Sequence, residues 1–150
     1  MQAVSGVFET SLYVADLPRS CAFYQELFGF ELIGSPLGAP PGAPVKAGDR
    51  LAALKVGDRQ VLLLFQQGAS AARATEHGQR ILPHDAVGQI HVAFAVAAAD
   101  IEAWERRLLD RGLTIERTID WRPGVRSLYF RDPDQHLLEL ATPGVWGVSW

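Results

Sequence analysis

The sequence predicts an α+β protein of two tandem βαβββ modules, with curled mixed sheets around a shared cleft and helices on the outer faces. Three observations carry this. FETSLYVADLPRSCAFYQELFGFEL and IHVAFAVAAADIEAWERRLLDRGLTIE run through the same order of elements. Each is followed by a strand–turn–strand stretch, RLAALKVGDRQVLLLFQQG in the first half and VRSLYFRDPDQHLLELATP in the second. With 150 residues, 48% of them hydrophobic and 21% charged, the chain is long and apolar enough for one core or for two small modules sharing one.

The first strand of each module shows two-residue alternation. Phe8, Thr10, Leu12 and Val14 alternate with Glu9, Ser11 and Tyr13; Val92, Phe94 and Val96 alternate with His91, Ala93 and Ala95. Asp16 is the expected cap of the first helix, with Pro18 tolerated in its first turn. Phe23 and Leu27 lie four apart and share a face, and Gly29 stops the helix. Asp100 is the expected cap of the second helix, Ile101, Trp104 and Leu108 have helical spacing, and Gly112 ends it. Gly57-Asp58 and Asp132-Pro133-Asp134 mark the two hairpin turns.

These elements place the first module at 1–72, a connection at 73–88, and the second module with a C-terminal tail at 89–150. The connection lies in QQGASAARATEHGQRILPHDAVGQ, which has no clean period. A Pro- and Gly-rich loop, GSPLGAPPGAPVKAGDR, replaces a simple turn in the first module and reads as a surface excursion or a substrate lid. The apolar tail GVWGVSW reads as a cover for a dimer surface or for the other module.

Net charge is −3 and no basic patch stands out, which argues against nucleic-acid and anionic-membrane partners and suits a neutral or cationic small molecule. The single cysteine, Cys21, forms no internal disulfide, reads as a packed helix side chain, and fits a cytoplasmic setting. The N-terminus shows no signal peptide, and no stretch reads as a transmembrane span.

Superposing the halves aligns polar positions. Glu9 falls on His91, since both begin a first strand on the face opposite the apolar stripe. Glu139 falls on Leu63, since both follow their hairpin turn by the same count. Convergence of Glu9, His91 and Glu139 on a shared concave space would give two carboxylates and an imidazole, a donor set for a divalent ion such as Mn, Fe, Ni, Co or Zn. A cation removes the cost of burying the Glu139 carboxylate. Without one, His91 reads as a surface or hydrogen-bonded histidine and Glu9 as a solvated acid.

ETSLYVADLPRSCAFYQELFGFEL, HVAFAVAAADIEAWERRLLDRG and, most specifically, SLYFRDPDQHLLEL give the chain a close likeness to one family. It resembles the vicinal oxygen chelate superfamily, the glyoxalase, bleomycin resistance and extradiol dioxygenase proteins. The resemblance implies paired βαβββ modules, a metal centre in the cleft and frequent homodimers. It places the family's four metal positions on Glu9, Leu63, His91 and Glu139. Glu9 stands where the family most often has His, and Leu63 is unable to ligate. The three remaining donors resemble the extradiol dioxygenases and fosfomycin-modifying transferases, although those usually show two His and one Glu. The resemblance also suggests Glu9 as a catalytic base. It implies a metal-dependent enzyme acting on a small organic substrate, by isomerisation, ring-cleaving oxygenation or addition to an epoxide. The rival is a non-catalytic, drug-binding protein of the bleomycin-resistance kind.

Further residues are placed near the cleft. Tyr13 shares the strand face of Glu9. His84, seven residues before His91, is a candidate acid or base, an extra ligand, or a solvated loop histidine. Trp121 and Arg126 are candidates for an aromatic wall and an anion contact. Phe65, Tyr129 and Trp146 read as packing residues.

Overall fold

The alternating and helical patterns fold as two βαβββ modules. The computed structural model describes residues 2–34, 42–71, 74–76 and 79–148. Residue 1, residues 35–41 of the Pro- and Gly-rich loop, residues 72, 73, 77 and 78, and the last two residues of the tail lie outside the described residues. The chain divides into two compact units between Val87 and Gly88, so all of the connection except Gly88 falls in the first unit.

In the first unit, β1 (Glu9–Val14) leads into α1 (Leu17–Phe28), then β2 (Glu31–Gly34), β3 (Leu51–Val56) and β4 (Gln60–Gln66). The sheet order is β1-β4-β3-β2, with β1 and β4 parallel and the other pairs antiparallel. Leu12, Val14, Leu54, Leu62 and Leu64 are buried on one face. The helix α1 lies against β3 and β4 and buries Leu17, Ser20, Cys21, Tyr24 and Leu27, which recur every three or four residues. That stripe runs through Cys21 and Tyr24, leaving Phe23 only half-buried. The Asp16 carboxylate accepts from the Arg19 N–H at 3.1 Å, and Gly29 ends the helix at φ 73° with its N–H on the Gln25 carbonyl. The connection carries two three-residue strands, β5 (Ala74–Glu76) and β6 (Gln79–Ile81), which pair with each other.

In the second unit, β7 (His91–Ala95) is followed by a 3₁₀ turn (Ala98–Asp100), α2 (Ile101–Asp110), β8 (Arg117–Arg122), β9 (Val125–Arg131) and β10 (Leu137–Ala141). The sheet order, β7-β10-β9-β8, repeats that of the first unit, and β7 and β10 are parallel. Leu128, Phe130, Leu138 and Leu140 are fully buried. The helix cap differs from expectation. Asp100 makes no side-chain capping bond, because its own backbone is already near-helical at φ −98°, ψ −7°. A capping residue needs an extended backbone to turn its oxygen onto the first free N–H groups.

The Asp-Pro-Asp turn is held by its first acid. Asp132 Oδ1 accepts from the N–H groups of Asp134 at 2.9 Å and His136 at 2.8 Å, and Gln135 sits at φ 66°. His136 is buried, and its Nδ1 accepts from the Ile90 N–H at 3.1 Å. The Leu137 N–H donates back to the Ile90 carbonyl at 2.8 Å. The turn therefore fixes the backbone immediately before His91.

Candidate metal centre

The strand registers confirm the pairing of positions between the modules. In the second unit Leu137 faces His91 across the sheet, and Glu139 faces Ala93. In the first, Val61 faces Glu9 and Leu63 faces Ser11. Glu139 and Leu63 thus occupy the same place, each opposite the third residue of its module's first strand. On the neighbouring antiparallel strands, Tyr129 faces Glu139 and Ala53 faces Leu63. Residues that face each other across a ladder point to one side of the sheet. His91, Ala93, Glu139, Tyr129 and Ser127 therefore share the face opposite Leu138 and Leu140.

His91 Nε2 lies 3.2 Å from Glu139 Oε2. The carboxylate is almost wholly buried, with 9% of its side chain exposed against 48% for the imidazole. His91 Nδ1 is 3.1 Å from the Leu137 carbonyl oxygen, which can only accept, so Nδ1 carries a hydrogen. In the neutral imidazole, Nε2 then presents a lone pair to the carboxylate. Two lone pairs at 3.2 Å repel unless positive charge sits between them, as a proton or a metal cation. Two donors about 2.1 Å from one ion lie about 3.0 Å apart at an octahedral angle and about 3.4 Å apart at a tetrahedral one. The observed separation fits that bite. A backbone carbonyl on the far ring nitrogen is the usual way a ligating imidazole is oriented.

A chain of side chains backs Glu139. The Tyr129 hydroxyl hydrogen-bonds to Glu139 and to Ser127, and the Trp121 Nε1–H donates to Ser127 Oγ at 2.9 Å. Burial, followed by the bond and charge of Glu139, raises the Tyr129 pKa and keeps its phenol protonated. The Tyr129 ring lies roughly parallel to the His91 ring, with 6.2 Å between centroids. Tyr129, expected as a packing residue, thus contacts both His91 and Glu139, with Ser127 behind it, while His136 fixes the backbone before His91. The available signal for Tyr129 was its place three residues before the Asp-Pro-Asp turn, on the strand antiparallel to that of Glu139.

The structure distributes the other expected residues unevenly. Trp121 reaches the Glu139 face through Ser127. Arg126 occupies the opposite face, because it neighbours Ser127 along β9, and its guanidinium is taken up by Asp120 at 2.6 Å and Glu105 at 3.8 Å. Glu9, Tyr13 and Leu63 share one face of the first sheet, and His84 joins them through a 2.7 Å bond between the Tyr13 hydroxyl and His84 Nδ1. Among the described residues, no three His, Cys, Asp or Glu side chains form a group able to hold a metal ion. The donors assembled within one unit are His91 and Glu139. Cys21 is buried in α1, and burial pushes its thiol up to about 11, which removes it as a nucleophile at neutral pH. Among the described residues, no helix is long and apolar enough to cross a membrane.

The paired βαβββ modules define a class of protein that the family comparison identifies. The chain belongs to the Glyoxalase/Bleomycin resistance protein/Dioxygenase superfamily, whose model matches residues 6–140. It is 32% identical over 133 residues to the glutathione transferase FosA of Serratia marcescens, spanning 87% of this chain and 75% of that protein. The crystal structure of lactoylglutathione lyase from Agrobacterium tumefaciens superposes with a TM-score of 0.81 at 31% identity, covering 98% of this chain and 100% of that one. A mutant of the fosfomycin resistance protein FosX from Listeria monocytogenes, complexed with Mn(II) and 1S,2S-dihydroxypropylphosphonic acid, has the same fold, with a TM-score of 0.66, 21% identity and coverage of 95% of each chain.

Proposed function

We propose that this protein is a divalent-metal-dependent enzyme that acts on a small oxygenated substrate together with a low-molecular-weight thiol. The observation that carries the metal reading is the His91–Glu139 pair, with Nε2 and Oε2 3.2 Å apart and Nδ1 engaged by Leu137. Glu9, at the equivalent strand position of the first module, is the proposed third donor. The thiol reading is supported by two relatives above 30% identity, a glutathione transferase and a lactoylglutathione lyase.

When bound, a cation such as Mn, Fe, Ni, Co or Zn supplies Lewis acidity that stabilises negative charge on substrate oxygens. The protein's own groups do the rest. Tyr129 orients Glu139, and Leu137 fixes the His91 tautomer. Glu9, an exposed acid at the start of β1, is the proposed base for moving a substrate proton. Leu63 and Ala53 leave the fourth corner apolar, which keeps ligand positions open for substrate. Tyr13 and Trp121 are the proposed aromatic walls. A homodimer is part of the proposal, supported by the exposed apolar Val4, Val7, Phe8 and Trp146. So is a cytoplasmic setting, which suits the lone buried thiol.

A second reading is a non-catalytic binder of small molecules. It is favoured by Leu63 at a matched position and by the lack of a three-donor group among the described residues. Metal analysis of protein purified without chelator separates the two. One ion per chain in the wild type, lost in Glu139→Ala, with turnover of fosfomycin in the presence of glutathione, supports the enzyme. Substoichiometric metal that Glu139→Ala leaves unchanged supports the binder.

A further inference from the structure

His84 is held in place by more contacts than a loop histidine requires. Its backbone N–H donates to the Ser70 carbonyl at 3.0 Å. The next residue, Asp85, accepts from the N–H groups of Gly68 at 2.9 Å and Ala86 at 3.0 Å, so its carboxylate is already tied down. The Phe65 ring meets the imidazole edge-on, with 4.7 Å between centroids, and stacks on Tyr13 at 5.7 Å. The Tyr13 hydroxyl lies 2.7 Å from Nδ1.

The tautomer follows from the chemistry of the pair. An imidazole nitrogen is a better acceptor than a phenol oxygen, so the phenol donates. Burial, assisted by the nearby Asp85 charge, raises the Tyr13 pKa and keeps that phenol protonated. Nε2 therefore carries the ring hydrogen, and it has no acceptor among the described residues. The same turn carries a cation, since the Arg50 guanidinium donates to the Ala69 carbonyl.

Position sets the class of ligand. Tyr13 and Phe65 face each other across β1 and β4, on the face that also carries Glu9, Ser11 and Leu63. Tyr13 is four residues along the strand from Glu9, about 13 Å away. A three- or four-atom substrate held beside Glu9 falls short of that corner. An extended molecule of tripeptide length, about 10 Å or more, comes within reach of it.

We propose that His84, oriented by Tyr13 and Phe65, is a specificity residue whose Nε2–H binds a carboxylate on the far arm of a peptide-sized thiol such as glutathione. This rests on the thiol reading above and assigns that ligand a subsite remote from the metal donors. Calorimetric titration of metal-free and Mn(II)-loaded protein with glutathione and with cysteine tests it. In the wild type, glutathione binds more tightly than cysteine. His84→Ala weakens glutathione binding about tenfold, the effect of losing one hydrogen bond to a charged group. His84→Gln, which keeps an N–H donor, recovers part of the loss, and Tyr13→Phe costs about threefold by freeing the ring. Cysteine affinity and metal content stay unchanged in all three. The subsite is overturned if His84→Ala leaves glutathione affinity intact, if glutathione and cysteine weaken together, or if wild-type protein prefers neither thiol. A wild-type protein that binds no metal counts against the metal reading instead, because the metal-free titration still reports on His84.

Discussion

Glu139 and Leu63 occupy one and the same position in two copies of a sheet, each facing the third residue of its module's first strand across a parallel ladder. In one module that position carries a buried carboxylate with a histidine 3.2 Å away. In the other it carries an aliphatic side chain. The fold accepts either, so Glu139 is not there for packing.

This leads to a prediction about Glu139→Leu. The first module shows that the backbone tolerates leucine at this place, and burying a carboxylate costs desolvation that its hydrogen bonds only partly repay. The metal-free variant is therefore expected to be as stable as the wild type or more stable, within about 1–2 kcal/mol. Added metal raises the melting temperature of the wild type only. A variant that unfolds well below the wild type without metal would contradict this.

Tyr129→Phe removes the hydroxyl bonded to Glu139 and leaves the ring in place. Loss of a group that orients a metal ligand typically costs 10- to 100-fold in affinity, and about tenfold is expected here. Competition with a chromophoric chelator measures it. Ser127→Ala, one step further from the carboxylate, is expected to cost less.

Asp132→Ala deprives the N–H groups of Asp134 and His136 of their acceptor. Hydrogen bonds to a charged group contribute about 1.5–3 kcal/mol each, and the N–H of His136 is in a buried setting. A loss of about 3 kcal/mol is expected in urea unfolding, with Asp132→Asn recovering part of it. Because the turn sets the backbone before His91, metal affinity falls as well.

The two helix starts predict unequal costs. Asp16→Ala is expected to destabilise by about 1 kcal/mol, since its carboxylate caps α1. Asp100→Ala stays within about 0.5 kcal/mol, since Asp100 makes no capping bond. Equal effects in thermal unfolding would show that the difference in cap geometry carries no weight.

Cys21 gives a pH dependence with a definite sign. Its pKa rises from 9.0 to about 11 on folding, so the native state holds the proton after the unfolded chain has released it. Stability contributed by this group is complete below pH 9 and falls as pH climbs towards 11, by on the order of 2–3 kcal/mol. In Cys21→Ala the alkaline slope of unfolding free energy should shrink.

The sequence was informative where the signal is periodic and local. Two-residue alternation around Leu12 and Val92, glycine stops at Gly29 and Gly112, and the repeated order of elements were enough for two βαβββ modules. The repeat also paired Glu139 with Leu63, because strand register follows from counting outward from a turn. Local chemistry misled at Asp100, where the residue type is right for a cap and the backbone angle is wrong.

Contacts between strands were beyond that reach. Sequence determined which residues share a sheet face, since side chains alternate by covalent geometry. Tertiary structure decided what they do there. It gave Tyr129 to Glu139, His136 to Ile90 and His84 to Tyr13, and it matched Arg126 with Asp120 on the far side. Those choices depend on distances of a few tenths of an ångström between groups up to 71 residues apart, and no one-dimensional pattern encodes them.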